Sequence, residues 1–124
     1  YNADQIVVGT GAKHAIMNTI MAIINPGDEV IIPTPYWVSY SEMVVLAEGK
    51  SVFIDTDIES DFKITPAQLE AAITPKTKLF MFSSPCNPTG SVYPRHVLEQ
   101  IVALAKKHDL ILFGKDKKEF ILIA

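Results

Sequence analysis

Ser83-Ser84-Pro85-Cys86-Asn87-Pro88-Thr89-Gly90 follows directly on the apolar run Leu79-Phe80-Met81-Phe82. Four bulky apolar residues are too few for a helix and suit a buried strand, so the polar and turn-forming residues fall where that strand leaves a sheet. In open α/β sheets the crevice outside the carboxyl ends of the strands is the usual ligand site. Here it receives Asn87, an amide flanked by Pro85 and Pro88. The cis form at an X-Pro bond costs only about 0.5–1 kcal/mol, and turning Asn87 into such a crevice leads us to expect a cis Asn87-Pro88 bond and to consider one at Thr34-Pro35. Taken alone, the stretch reads equally well as a polar loop turning at Pro88-Thr89-Gly90.

On either side of this stretch, strands and helices alternate. Ile6-Val7-Val8 reads as a first strand, broken at Gly9-Thr10-Gly11, after which Ala12, Ile16, Ile20, Ile23 and Ile24 recur at helical spacing. Asn25-Pro26-Gly27-Asp28 ends that helix. Val30-Ile31-Ile32 reads as a second strand that empties into Pro33-Thr34-Pro35-Tyr36-Trp37, and a helix from Tyr40 to Glu48 follows, with Met43, Val44 and Ala47 inward and Gly49 as its stop. Ser51 to Ile54 is a third strand. Asp55 to Lys63 is acidic and polar and reads as a surface crossing. Thr65, Pro66 and Gln68 then form an N-cap, a first-turn proline and a capping box for a helix that faces Leu69, Ala72 and Ile73 inward. After the fourth strand, Leu79 to Phe82, Pro94 opens a helix with Val97, Leu98, Ile101, Val102 and Ala105 apolar, and Leu110 to Phe113 is a fifth strand. The alternation argues an α/β fold in three layers, α/β/α, around a mainly parallel sheet.

The 124 residues suffice for one modest domain, and a 48% apolar, 20% charged composition with net charge −3 argues against disorder and against nucleic acid as a partner. No apolar run approaches the roughly 20 residues that span a bilayer, and no basic-then-apolar leader opens the chain, so no membrane partner is expected. Cys86 is the single cysteine, which excludes an intrachain disulfide and fits a compartment that keeps thiols reduced; a cytoplasmic protein is expected. Without a histidine near it in sequence, Cys86 reads as a packing residue rather than a nucleophile. His14, His96 and His108 lack metal-ligand spacing, so no metal is expected.

Three strand ends supply complementary chemistry. The helix starting at Gly11-Ala12-Lys13 offers unpaired backbone N–H groups, a positive dipole end and a lysine, which together suit a phosphate. A solvated first-turn lysine is the plainer reading of Lys13 taken alone. Gly9-Thr10-Gly11-Ala12-Lys13-His14 approaches a dinucleotide fingerprint but has His14 where the third glycine belongs, and a Walker pattern is absent. Trp37 offers a flat apolar face for a ring, although tryptophan is by default a core residue. Phosphate site, aromatic face and the Asn87 amide together describe a phosphorylated aromatic cofactor.

Three segments carry a family resemblance: Val8-Gly9-Thr10-Gly11-Ala12-Lys13-His14-Ala15, Asn25-Pro26-Gly27-Asp28-Glu29-Val30 through Pro35-Tyr36-Trp37, and Ser84-Pro85-Cys86-Asn87-Pro88-Thr89-Gly90. In this order they are highly specific. From Tyr1 to about Phe113 the chain resembles the large domain of the fold-type I pyridoxal-phosphate aminotransferases, in the aspartate aminotransferase branch. The resemblance implies pyridoxal 5′-phosphate as cofactor, with its phosphate cradled by the backbone around Gly11, Ala12 and Lys13. It implies that Trp37 stacks on the pyridine ring and that Asn87 hydrogen-bonds the ring hydroxyl, both close to the substrate. Amino acids such as aspartate and 2-oxo acids are the substrates so implied, and the intact family is homodimeric. An aminotransferase-like domain that senses a ligand inside a regulator, without turnover, is the alternative.

The resemblance also implies parts outside this chain: the Schiff-base lysine, its phosphate-binding neighbours, the small domain, and an N-terminal arm before Tyr1. No lysine here sits in the family's Ser-Lys context, so no catalytic residue is assigned and Lys115, Lys117 and Lys118 read as a solvated charge run. The expectation is an internal fragment, residues 1–113, inactive by itself and prone to self-association. Gly114-Lys115-Asp116-Lys117-Lys118-Glu119 departs from the family's serine, aspartate, glutamate, apolar residue and tyrosine. Residues 114–124 are therefore expected to be an atypical tail, from a frameshift, a decayed gene or a cloning scar, with Asp116 matching the family aspartate only after a one-residue shift. A family strand order of first, seventh, sixth, fourth, fifth, second, third would leave Ile6-Val7-Val8 without neighbours. Phe120-Ile121-Leu122-Ile123-Ala124 is then expected to add to an open edge or to drive association.

Overall fold

Short apolar runs separated by turn residues fold into one sheet in the computed structural model, which describes residues 2–115 and 120–123. Its strands are β1 (Glu29–Pro33), β2 (Lys50–Ile54), β3 (Thr77–Ser83), β4 (Ile111–Lys115) and β5 (Phe120–Ile123). The spatial order is β2-β1-β3-β4-β5. The first four strands run parallel, and β5 returns antiparallel along β4, pairing Leu112 with Ile123 and Lys115 with Phe120. Of the two outcomes expected for the tail, an added strand is therefore the one seen, over Phe120–Ile123. Tyr1, Ala124 and the stretch Asp116 to Glu119, with its contested aspartate and lysines, lie outside the described residues.

Period-two alternation sorts the side chains onto two faces. On one, Val30 and Ile32 of β1, Leu79 and Met81 of β3 and Phe113 of β4 pack with Ile16 and Ile20 of α1 (Ala12–Ile23) and with Tyr40, Met43 and Val44 of α2 (Ser39–Leu46). On the other, Ile31, Phe80 and Leu112 meet Leu69 of α3 (Pro66–Ala72) and Ile101 and Ala105 of α4 (Arg95–His108). This is the expected three-layer α/β/α arrangement. Thr65 caps α3: its side chain accepts from the Gln68 amide, and Gln68 Oε1 accepts from the Thr65 amide at 2.8 Å. Pro94 stands one position earlier than expected, as the N-cap of α4.

Three expectations need correction. The strand order places Leu79–Phe82 between Val30–Ile32 and Leu110–Phe113, whereas the assumed order put the fifth strand next to the second. The two adjacent inner strands, β1 and β3, carry Val30, Ile31 and Ile32 and Leu79, Phe80 and Met81, all 0% exposed, as strands covered on both faces require. Ile6-Val7-Val8 is not a strand: it pairs with neither sheet edge and is 59%, 84% and 88% exposed. An apolar run without alternation signals a strand lying between two others, and neither sheet edge receives this one. Gly49 is not the left-handed stop of α2. That conformation falls to Glu48, with φ 59°, while a Cβ on Gly49 would stand 2.8 Å from Ile24 Cγ2 and 3.1 Å from Val44 Cγ1. The glycine is needed for close approach, not for chain reversal.

Candidate functional site

Parallel strands send all their following loops to one edge, and two of the sequence-derived candidates, Trp37 and Asn87, lie on those loops. β1 runs into Thr34–Val38, with a cis Thr34-Pro35 bond; β3 runs into Ser84–Tyr93, with cis bonds at Ser84-Pro85 and Asn87-Pro88. The bond at Asn87-Pro88 matches the expectation, the one at Thr34-Pro35 was considered, and the one at Ser84-Pro85 was not expected. A bond between loops ties the two together: Cys86 Sγ donates to the Pro35 carbonyl at 3.5 Å. The second loop closes on itself through Cys86 N–H to Ser91 O and Gly90 N–H to Cys86 O, both 2.8 Å. Ser83 Oγ accepts from the Asn87 backbone N–H at 3.2 Å. Asn87 itself is exposed.

The start of α1 is open. Gly11 has φ 82° and ψ 170°, a conformation that side-chain-bearing residues rarely adopt, and no side chain caps it. The first helical N–H groups have no partners within the helix, and the dipole favours an anion there. Lys13 Nζ lies 5.3 Å from the centroid of the Trp37 ring, a cation–π distance. Anion site and aromatic face therefore adjoin. Trp37 is half-buried and packs edge-on against Tyr40, with ring centroids 5.5 Å apart. His14, read as solvated or structural, shapes the turn into the helix, its Nδ1 accepting the Thr10 N–H at 3.0 Å.

Tyr40, Phe62 and Tyr93 carried no site signal in the sequence. With Pro35, Ser83 and Cys86 they line a small cavity of about 10 Å³ beneath the loops, room for one water. Tyr40 is 1% exposed, and its hydroxyl has no partner at hydrogen-bonding geometry. Burial pushes this phenol up to about 12, with the facing Ser83 hydroxyl opposing the rise. Burial also raises Tyr93, whose hydroxyl accepts the Ile64 N–H at 3.1 Å. A tyrosine three residues beyond Trp37 at a helix start was the available clue for Tyr40. Among the described residues no cluster of His, Cys, Asp and Glu is arranged to hold a metal, and no helix is long and apolar enough to cross a membrane.

A parallel α/β sheet whose carboxyl edge joins an open helix start to an aromatic face is a scaffold suited to a ligand bearing both a phosphate and a flat ring. Comparison with known proteins gives that scaffold a family: the model for aminotransferase class I and II matches residues 1–114, and the chain belongs to this family. Its members depend on pyridoxal phosphate. The chain is 51% identical over 121 residues to the aspartate/prephenate aminotransferase of Nitrosomonas europaea, covering 97% of this chain and 30% of that protein. It is 52% identical over 112 residues to the asparagine–oxo-acid transaminase of Streptococcus mutans, covering 90% and 28%. Among solved structures, the aspartate aminotransferase of Rhizobium meliloti matches with a TM-score of 0.88 at 45% identity, over 94% of this chain and 29% of that one. The Thermus thermophilus aspartate aminotransferase with maleate matches at 0.79 and 49% identity, over 81% and 26%. The chain thus spans less than a third of the length of these relatives.

Proposed function

We propose that this chain is the cofactor-docking part of an aspartate-type aminotransferase, which moves an amino group from aspartate or a similar amino acid to a 2-oxo acid. The observation that carries the reading is the adjacency of Lys13 and Trp37: the ammonium of a lysine in the first turn of α1 lies 5.3 Å from the centroid of a flat aromatic ring. Pyridoxal phosphate, when bound, supplies an electron sink for the α-carbon of the amino acid. The chain's own residues do the rest. Backbone N–H groups of Ala12 and Lys13, with the Lys13 ammonium, hold the phosphate; Gly11, expected as a third donor, instead shapes the turn, its own N–H donating to the Gly9 carbonyl at 2.9 Å. Trp37 gives its face to the ring and keeps water from it. Asn87, on the loop braced by Ser83 and Cys86, donates its amide to the ring hydroxyl oxygen and helps orient the substrate beside it.

The chain by itself is expected to bind without turning over, since no lysine occupies the family's Ser-Lys context. Inorganic phosphate titrated into isotope-labelled protein should shift the amide signals of residues 11–13 in a saturable way. Shifts concentrated elsewhere would contradict the assignment.

A further inference from the structure

We infer that the crossover from Asp55 to Ile64 is a clamp that sets the two loops carrying Trp37 and Asn87 relative to one another, with Asp61 and Phe62 as its positioning residues. Their relevance to cofactor binding rests on the function proposed above; the clamp itself rests on contacts in this chain. The crossover reaches both loops. At its start, Thr34 Oγ1 donates to Asp55 Oδ1 at 2.9 Å and Thr56 Oγ1 donates to the Thr34 carbonyl, which holds the loop leading to Trp37. At its end, Ser91 Oγ donates to Asp61 Oδ1 at 3.3 Å and the Ile64 N–H donates to the Tyr93 hydroxyl, which holds the loop containing Asn87. Between these ties, Phe62 lines the cavity with Pro35, Tyr36, Cys86 and Tyr93, filling the space between the two loops.

The backbone marks the same two residues. Asp61 and Phe62 are consecutive and left-handed, with φ 50° and 53°. For a bulky residue this conformation is a true outlier, and glycine or asparagine would adopt it at lower cost. It persists here because the turn around it is over-determined: Phe62 N–H bonds Asp57 O at 2.8 Å, Asp61 N–H bonds Ile58 O at 3.0 Å, and Ser60 N–H bonds Asp57 Oδ1 at 2.8 Å. Lys63 pairs with the Asp61 carboxylate and, with the Ser91 hydroxyl, holds it below the ordinary carboxylate range. The conformation aims a carboxylate at Ser91 and a ring into the cavity, neither of which glycine could supply.

The test is amide hydrogen exchange on the full chain without any ligand, so that it succeeds or fails independently of cofactor binding. Asp61→Ala and Ser91→Ala break the same hydrogen bond from opposite sides, Phe62→Ala removes the ring, and Asp61→Asn keeps an acceptor in a residue that tolerates the left-handed region. Exchange at Cys86 and Gly90, whose N–H groups close the Asn87 loop, should rise about threefold to tenfold in the three alanine variants. It should stay near the parent rate in Asp61→Asn, and Ile31 and Phe80 in the sheet should be unchanged throughout. If Asp61→Ala fails to fold, Ser91→Ala carries the test without any backbone penalty. Unchanged exchange at Cys86 and Gly90, or a rise spread evenly over the sheet, would overturn the clamp. Absence of pyridoxamine 5′-phosphate binding by the parent protein would instead sink the cofactor reading and leave the exchange result standing.

Discussion

The carboxyl edge of the sheet and the segment leading into α1 are built from similar residues and end differently. At the edge, three loops follow paired strands and are tied to one another by the Cys86 to Pro35, Ser91 to Asp61 and Thr34 to Asp55 bonds. In the leading segment, Ile6, Val7 and Val8 are as apolar as any strand here, yet they lie in solvent beside α1. A concavity of about 300 Å³ opens there between Val7 and Gly9 and the outer side of α1. An apolar run becomes a strand only when neighbouring backbones pair with it, a condition no local pattern states.

The largest expected effect breaks or upholds that contrast directly. Phe80→Ala, at a 0% exposed position of β3, should cost about 3–5 kcal/mol, whereas Val7→Ser should change stability by less than about 0.5 kcal/mol. Urea denaturation midpoints check both, and comparable losses would mean that Ile6–Val8 is packed after all. Gly49→Ala comes next. With Ile24 and Val44 already against the missing Cβ, overpacking should cost about 1–3 kcal/mol, although the site looks in sequence like an ordinary helix stop. A neutral result would return Gly49 to the role of a turn residue.

Smaller still is a pH effect at the opposite, amino-terminal edge of the sheet. Glu29 is buried, and its pKa is lowered from 4.5 chiefly by the Thr74 hydroxyl, which donates to Oε2 at 2.6 Å, with Lys50 adding to the effect. A depressed folded-state pKa contributes stability that is present above the unfolded value near 4.5 and is lost as pH falls through the lower folded value. Thr74→Val should flatten the acid limb of the stability curve below pH 4.5. A limb of unchanged slope would mean that Glu29 contributes nothing to acid sensitivity.

Much of the fold was legible because its signals are local. Ile16 and Ile20 at helical spacing are buried, Met43 and Val44 face inward, and the Thr65–Gln68 capping box closes as written. The order of the strands was not legible, since it depends on which backbones pair across long stretches of chain. Nor was the role of Gly49, which is defined by Ile24, or the left-handed Phe62, whose bulky ring gives no turn signal. At the candidate site, Lys13 and Trp37 were legible as chemistry and expected to serve one cofactor; their direct cation–π contact was not legible. Tyr40 was missed because a buried phenol looks like any other helix-start aromatic until its partners are known.

A phosphorylated aromatic ligand seated between the start of α1 and Trp37 would be directly measurable, because the chain has a single tryptophan. Intrinsic fluorescence would be followed while pyridoxamine 5′-phosphate is added, a form without the aldehyde that would react with surface lysines. We expect saturable quenching of Trp37 that inorganic phosphate competes away and that Gly11→Val, at φ 82°, weakens about tenfold or more. Fluorescence that falls linearly without saturation, or quenching that phosphate and Gly11→Val leave untouched, would contradict this placement of the ligand.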